Sequence, residues 1–363
     1  MNRLRVAVVG ASLGGLSVAN VLHRLDIEVA VFEYFPSSFH NRGGALGNVH
    51  IDLIQRIRGL SPNKMPPSIS GHGHFYGDLW AYLYQGLPAQ TVHFGADIRE
   101  IIDPDSNQPG LRLDGSVQRF DLVIGADGGK SAVRAYVTDA QPSYSGYALW
   151  RGLAPVAGIA GPPSGSKTLQ GFRYDTLGFP FVGAEGETFW NCGIYMAMPE
   201  SDVAAPSRNR QVGSAALQTL PDWFQPFVTK MFGADNARFW RLCAERGKVS
   251  QHAVWEFSAD RVVNKRIILL GDAAHMASPR TGAGAYTAMV DALVLAQCLT
   301  QALPAVTGKP CADWGNLSEL LERYNSNTVK RGQELFIRSR QAAAYFAPLN
   351  RTIVAPEALL KVL

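Results

Sequence analysis

The sequence predicts an α/β fold: a Rossmann-like nucleotide-binding domain interrupted by an inserted, mainly antiparallel sheet. Three observations predict it. An apolar, β-branched run at residues 4–9 passes through a glycine-rich turn into a helical pattern over 14–25 and a second strand at 28–32, which together make one βαβ unit. Two further short apolar strands, at 121–124 and 266–270, each run straight into a glycine-containing loop. Between them the chain changes character, with alternating aromatic strands at 147–153, 171–181 and 188–196.

These observations divide the chain. Residues 1–140 are expected to form the first part of the nucleotide-binding domain, with a short piece near 66–84 contributing to the substrate domain. Residues 141–255 are the inserted substrate domain, and 256–363 complete the first domain with C-terminal helices, led by an Ala-rich helix over 283–301. The Gly-, Pro-, Ser- and His-rich stretch 36–77 reads as loop around one helical patch at 51–57. A helix at 79–87, strands at 91–94 and 97–102 and a turn at Asp114-Gly115 follow.

Length and composition bound the function. A chain of 363 residues with 47% apolar content supplies two domains with cores. Its 34 basic and 30 acidic residues leave a net charge of +4 with no block of like charge, which argues against a nucleic-acid partner. The four cysteines lack CxxC spacing, so neither a metal site nor a disulfide framework is expected, and a reducing cytoplasm fits. Arg3 and Arg5 before an apolar stretch superficially resemble a signal peptide, but glycines interrupt the stretch and a second strand resumes at Glu28. No apolar run approaches the ~20 residues needed to span a bilayer, so no membrane partner is expected.

The motifs carry the chemistry. GASLGG, residues 10–15, joins strand to helix in the pattern that cradles a dinucleotide pyrophosphate. Gly10 permits the turn, Gly15 lets helix and strand pack closely, Ser12 takes the position of the second glycine, and Leu13 follows it. Glu33 lies 23 residues beyond Gly10 at the end of the second strand, where a carboxylate can accept from an adenosine ribose. The second motif, GADGGKSAVR, places Asp127 and Gly128 at a sharp turn, with Ser131 and Arg134 on a following helix. The third, GDAAHMASPRTGAGAYTAMVDA, places Asp272 where it can meet a ribityl chain and Pro279, Gly282, Ala283 and Gly284 beside a flavin. Helix N-termini at such loops favour anionic groups.

With these three loops in this order, the sequence resembles the class A FAD-dependent aromatic monooxygenases, typified by para-hydroxybenzoate hydroxylase. The GYALWRG segment, residues 146–152, is especially similar to 2,6-dihydroxypyridine hydroxylase. The resemblance covers most of the chain. It implies an FAD-binding domain, with Asp127 and Gly128 serving FAD and nicotinamide and Asp272 serving the flavin ribose. It also implies that NADH or NADPH reduces FAD, and that dioxygen then reacts through a flavin C4a-hydroperoxide to hydroxylate a hydroxylated aromatic or N-heteroaromatic ring. Three positions depart from the family pattern: Ser12, Tyr76 where an arginine is common, and Tyr286 where asparagine is usual. The chain also ends at Leu363, before the extra domain that larger phenol hydroxylases append.

The expected partners are a small aromatic substrate and dioxygen, and a homodimer is the assembly considered. Trp150, Phe181, Trp190 and Tyr195 are candidate substrate walls, alongside Phe172, Tyr174 and Phe179, and strand alternation sends about half of such residues to the core instead. Backbone N–H groups at 282–284 are candidates for stabilising a developing oxyanion. His275, Arg151 and Arg173 are catalytic or anion-holding candidates, with His50 and His252 behind them, and none is singled out as a base. An epoxidase-type FAD-dependent oxygenase, or a flavoprotein without hydroxylase activity, is the alternative; the WxWxIP segment of halogenases is absent from the sequence.

Overall fold

The structure, a computed structural model, describes residues 4–37, 45–46, 49, 51–60, 74–113, 115–156, 161–182, 186–203, 214–217, 219–246, 248–306, 317–348 and 352–360. Strand β1 (Arg5–Val9) is apolar because it is covered on both faces, and it feeds α1 (Leu13–Arg24), buried along residues 13–22. The chain returns as β2 (Glu28–Glu33), parallel to β1 with Val9 opposite Phe32. β3 (Ala45–Leu46), α2 (Ile51–Arg58), β4 (His74–Phe75), α3 (Tyr76–Tyr84) and β5 (Val92–Phe94) follow. Only Ile101–Ile102 of the expected strand at 97–102 is extended. It is β6 of a small antiparallel meander with β7 (Gly110–Leu113) and β8 (Ser116–Arg119), whose turn includes Gly115; Asp114 lies outside the described residues.

β9 (Leu122–Gly125) then pairs with β1. After β10 (Ser143–Pro155), β11 (Gly165–Leu169), β12 (Phe172–Val182), β13 (Thr188–Ala197), β14 (Ser214–Leu217), α4 (Phe224–Phe232), α5 (Ala234–Glu245) and β15 (Val249–Ser258), the first sheet resumes with β16 (Val263–Asn264) and β17 (Ile267–Leu269). Its order is β16-β17-β9-β1-β2-β5, parallel except for β16. The second sheet, β11-β12-β13-β10-β15-β14, is antiparallel throughout, and β18 (His275–Met276) adds to β15. The expected α/β class with an antiparallel insertion is therefore present.

Three packed layers follow from this arrangement. One core lies between the parallel sheet and the helices α1 and α6 (Gly284–Val306). A second fills the space between the antiparallel sheet and the helix pair α4–α5, which carries no motif and was not expected. A third, small and aromatic, lies on the other face of that sheet against α7 (Leu317–Phe346). α7 is amphipathic along its whole length, with Leu317, Leu320, Leu321, Tyr324, Thr328, Gly332, Leu335, Ser339, Ala343 and Phe346 forming one buried stripe. Its lower turns join the first core and its upper turns the third. A short α8 (Pro356–Leu359) ends the description. Among the described residues no helix is long and apolar enough to cross a membrane.

Candidate active site

The first loop closes on itself so tightly that glycine is obligatory. Gly10 has φ 102°, and a Cβ there would stand 2.4 Å from the Ala126 carbonyl oxygen. A Cβ on Gly15 would stand 1.9 Å from the Gly10 carbonyl oxygen. Glu33, only 5% exposed, secures the loop from the next strand. One carboxylate oxygen accepts from Ala11 N at 2.7 Å and the other from Phe35 N at 2.9 Å. Trp80 Nε1 donates to Ala11 O at 2.7 Å, so α3 braces the same turn. Ser12 occupies the N-cap of α1 without capping it; its Oγ lies 2.9 Å from the Tyr76 hydroxyl. Two departures from the family pattern thus meet.

The second loop differs from expectation. No α-helix follows Asp127-Gly128; the chain makes turns and then a single 3-10 turn at Arg134–Tyr136, so no helix dipole acts there. Asp127 holds this turn itself, its Oδ2 accepting from Ala132 N at 2.7 Å and Val133 N at 3.3 Å. Its Oδ1 is buried without a partner among the described residues. Burial pushes the carboxyl above the usual range, against the lowering by Ser131 and the backbone donors. Arg134, 4% exposed, ties this loop to the third by donating to the carbonyls of Gly128, Gly129, Asp272 and Ala273, and it stacks over Phe257.

The third loop is held from behind. Gly271 N donates to Asp291 Oδ2 at 3.1 Å, and His275 Nε2 lies 2.7 Å from the same oxygen. Arg331 of α7 grips the other oxygen through Nε at 3.1 Å and a terminal nitrogen at 2.8 Å. His275 is 2% exposed and lies beneath the loop, outside the lining of the cavity described below, so of the catalytic candidates it is one that does not face the site. Burial alone would lower its pKa, but Asp291 and Asp272 outweigh this and raise it, while Asp291 is lowered by His275 and Arg331 against its own burial. Further along, Ser278 is fixed on two sides. Its Oγ accepts from the Tyr147 hydroxyl of β10, and its N donates to Ser339 Oγ of α7 at 2.7 Å. Ser339 in turn donates to Glu256 at 2.6 Å, which Arg340 pairs at 3.0 Å. Gly282 N and Ala283 N are taken by Pro279 O and Thr281 Oγ1, which removes two of the three expected oxyanion donors; Gly284 has no such partner among the described residues.

All three loops open on one cavity of about 320 Å³. Ser12 and Leu13 enter from the first, Gly128 from the second, and Asp272, Pro279, Gly282, Ala283 and Gly284 from the third. Gly10, Gly15, Glu33 and Asp127 stand behind these and shape them. A Cβ on Gly128 or Gly284 would meet nothing within 4 Å, so both face open space. The N-termini of α1 and α6 both point here, and neither has an acidic residue in its first turn. Asp272 is open to the cavity while protein encloses its other sides, and this burial raises its carboxyl despite His275 and Arg134. The cradle therefore fits a flavin dinucleotide: glycine backbone and helix N-termini for the phosphates, and one unshared carboxylate for a sugar hydroxyl.

The antiparallel sheet contributes the remaining wall, and its alternation sorts the aromatic candidates. Trp150 (1% exposed) and Trp190 belong to the face that packs on α4 and α5, with Trp150 against Phe224, so both are core residues and not substrate walls. Phe172 and Tyr174 are buried with them. Tyr147, Leu149, Arg151 and Tyr195 take the opposite face, where Arg151 lines the cavity. Tyr195 stacks on Phe346, and its phenol is pushed up to about 12 by burial, against Arg151 and Arg280. Phe181 pairs with Phe189 in the register; its side chain, like His50, lies outside the described residues. Arg173 is bound to Asp175 at 2.6 Å and does not reach the cavity, which corrects its candidacy. Asp291, Tyr147 and Ser278 were missed from sequence, although Asp291 sits inside the third motif itself.

A family model described as an FAD binding domain matches residues 211–336, which contain the third loop and α6. Aurachin C monooxygenase/isomerase of Stigmatella aurantiaca is 28% identical over 332 residues, 82% of this chain and 81% of that protein. 2,6-Dihydroxypyridine 3-monooxygenase of Paenarthrobacter nicotinovorans is 26% identical over 335 residues, 82% and 83% of the two chains. The solved structure of 2,6-dihydroxypyridine-3-hydroxylase from Arthrobacter nicotinovorans superposes with a TM-score of 0.77 at 22% identity, covering 97% of this chain and 95% of that one. The chain is a homologue of the FAD-dependent aromatic monooxygenases. Asp272 and Glu33 stand differently in this cradle: Asp272 opens on the cavity, while Glu33 lies behind the first loop. Asp272→Ala should weaken FAD binding by roughly 1–3 kcal/mol, the value of a buried hydroxyl left without its acceptor, with little change in the apoprotein. Glu33→Ala should lower both FAD affinity and apoprotein stability, because it also leaves the buried Ala11 N–H and the half-buried Phe35 N–H without their acceptor. Flavin fluorescence titration and thermal melts of both apoproteins check this; an Asp272→Ala protein with unchanged affinity removes that residue from the site.

Proposed function

We propose that this protein is an FAD- and NAD(P)H-dependent monooxygenase that hydroxylates a planar hydroxylated aromatic or N-heteroaromatic compound. The observation that carries the proposal is the convergence of three glycine loops and two helix N-termini on one cavity closed by a β-sheet. Ser12, Leu13, Gly128 and Gly284 would hold the dinucleotide and Asp272 its ribityl chain. Bound FAD supplies the redox chemistry by which NAD(P)H and a proton reduce dioxygen, one oxygen leaving as water and the other entering the ring. The chain's own part is placement and the exclusion of water. Tyr147 and Ser339 hold Ser278, and through it the 277–284 segment, against the sheet, while Leu149 and Tyr195 pack behind it on α7 and keep the sheet in place. In the same reading the two parts of the FAD domain are residues 1–140 and 256–363, with 141–255 as the substrate domain, and the enzyme works in the cytoplasm.

Turnover under labelled dioxygen with NADH or NADPH and a panel of phenols and hydroxypyridines tests this. One label should enter a ring carbon and one appear in water. Coupled turnover confined to alkenes or sulfides would point to an epoxidase-type oxygenase, and bound FAD without NAD(P)H oxidation to a flavoprotein of another role.

A further inference from the structure

Asn191, near the start of β13, is 4% exposed, and its Oδ1 is buried without a hydrogen-bond partner among the described residues. Its amide nitrogen meets no acceptor among them either. A buried amide in this state is unfavourable, because it has exchanged water for nothing. Asn236 of α5 shows the ordinary outcome: equally enclosed, it accepts from Thr176 Oγ1 and donates to the carbonyls of Pro163 and Phe232. The alternation of β13 decides where Asn191 points. Trp190, Cys192 and Ile194 pack toward α4 and α5, whereas Tyr195 takes the opposite face, and Asn191 and Gly193 share that face with it. The register sets Asn191 between Leu153 of β10 and Phe179 of β12, both half-buried, and the next row holds Arg151, Gly193 and Leu177. Arg151 lines the cavity. Gly193 adds no side chain between Arg151 and Asn191, which are diagonal neighbours roughly 7–8 Å apart, so the cavity-facing wall continues to the amide. A leucine of similar size would suit a place between Leu153 and Phe179 better, so packing does not account for an amide there.

We propose that Asn191 is a substrate-recognition residue whose amide pairs with a ring edge carrying a hydrogen-bond donor and an acceptor side by side, so that this enzyme selects N-heteroaromatic rings of the 2-hydroxypyridine (2-pyridone) type over phenols. This rests on the monooxygenase reading above and narrows its substrate class. An asparagine amide presents a carbonyl acceptor beside N–H donors, and a lactam edge presents the complement, its N–H toward Oδ1 and its carbonyl toward Nδ2. A phenol brings a single hydroxyl and engages one end of the amide, which leaves the other end unpaired in the interior. Sites built this way discriminate strongly, because the group left without a partner is their own. Leu153 and Phe179 supply apolar contact on either side of the amide.

The test uses the FAD-loaded protein and follows perturbation of the flavin absorbance spectrum as ligand is added. The probes are 2-hydroxypyridine, its isomer 4-hydroxypyridine, which has the same atoms but places donor and acceptor at opposite ends of the ring, and phenol. The 2-isomer should bind at least about tenfold more tightly than either of the others. Asn191→Leu should bring the three affinities together while FAD remains bound, and its urea midpoint should hold or rise, since an apolar group of similar size replaces an unpaired amide. Asn191→Ala, which adds no new contact, should lose the preference in the same way. Equal binding of the two isomers, or binding of none of the three by a yellow protein, overturns the recognition and leaves the cofactor reading intact. A preference that survives both substitutions also overturns it, as does loss of FAD from both variants, which would place the amide on the cofactor. A preference for the 2-isomer that depends on Asn191, in a protein that oxygenates no ring, supports the recognition and overturns the monooxygenase reading alone. A colourless protein that cannot be reconstituted with FAD overturns both together.

Discussion

Replacing Asp291 by Ala is expected to lower the stability of the folded protein by about 3–5 kcal/mol, the usual consequence of removing one member of a buried charged group. The carboxylate is fully buried and has three dependants: His275, Arg331 and the N–H of Gly271. Its loss leaves a guanidinium and an imidazole without a counter-charge in the interior and frees the loop that carries Asp272. FAD affinity should therefore fall with stability, although Asp291 does not line the cavity. The pH dependence follows from the directions of the shifts. His275, raised in the folded state, contributes stability that is full below the ordinary histidine range and fades as pH rises through its folded value. Asp291, lowered, contributes above the ordinary carboxylate range and fades as pH falls through its folded value. Urea midpoints of wild type and Asp291→Ala should differ most between those two ranges; a difference that does not vary with pH would show that charge is not what the residue provides.

Gly15→Ala should be comparably severe and more selective for the cofactor. Its Cβ would be driven to within 1.9 Å of the Gly10 carbonyl oxygen, and neither the strand nor the helix can retreat because both are buried. Overpacking of this kind costs about 1–3 kcal/mol, more where backbone must move. The displaced atoms are the turn that presents Ser12 and Leu13 to the cavity, so FAD binding should drop by about tenfold or more. Gly284→Ala provides the contrast. Its Cβ meets nothing within 4 Å, and a helical alanine is favoured over glycine by up to about 1 kcal/mol, so apoprotein stability should hold or rise. Equal stability of the two apoproteins in denaturant would mean that the first turn is less tightly packed than described.

The legibility of these features in the sequence tracks how local each one is. The strand–turn–helix around Gly10 was readable because glycine spacing and an apolar run specify it within 25 residues, and Glu33 because its position follows from the length of one βαβ unit. Its bonds to Ala11 N and Phe35 N were not readable, since they depend on how the turn folds back. The aromatic strands were evident, yet not which face of each met the site: Trp150 and Arg151 are adjacent, and the strand's period of two sends one to the helices and the other to the cavity. The helix expected after Asp127 was replaced by turns because the carboxylate bonds the following N–H groups itself. The pairing of Asp291, within the third motif, with Arg331, forty residues on and on a different helix, carried no signal, because only the packing of α6 on α7 brings them together.

α7 extends about 45 Å at ~1.5 Å per residue, and its buried stripe runs unbroken from the parallel-sheet core to the aromatic cluster beneath the antiparallel sheet. It therefore acts as a strut that fixes the spacing between the loops around Asp272 and the sheet that bears Arg151. With Arg331 and Ser339 fastening the same helix to both sides, the walls cannot scissor apart to admit a thicker guest without unseating buried polar contacts. The spacing of the two walls is thus set by a single helix that does not itself line the cavity.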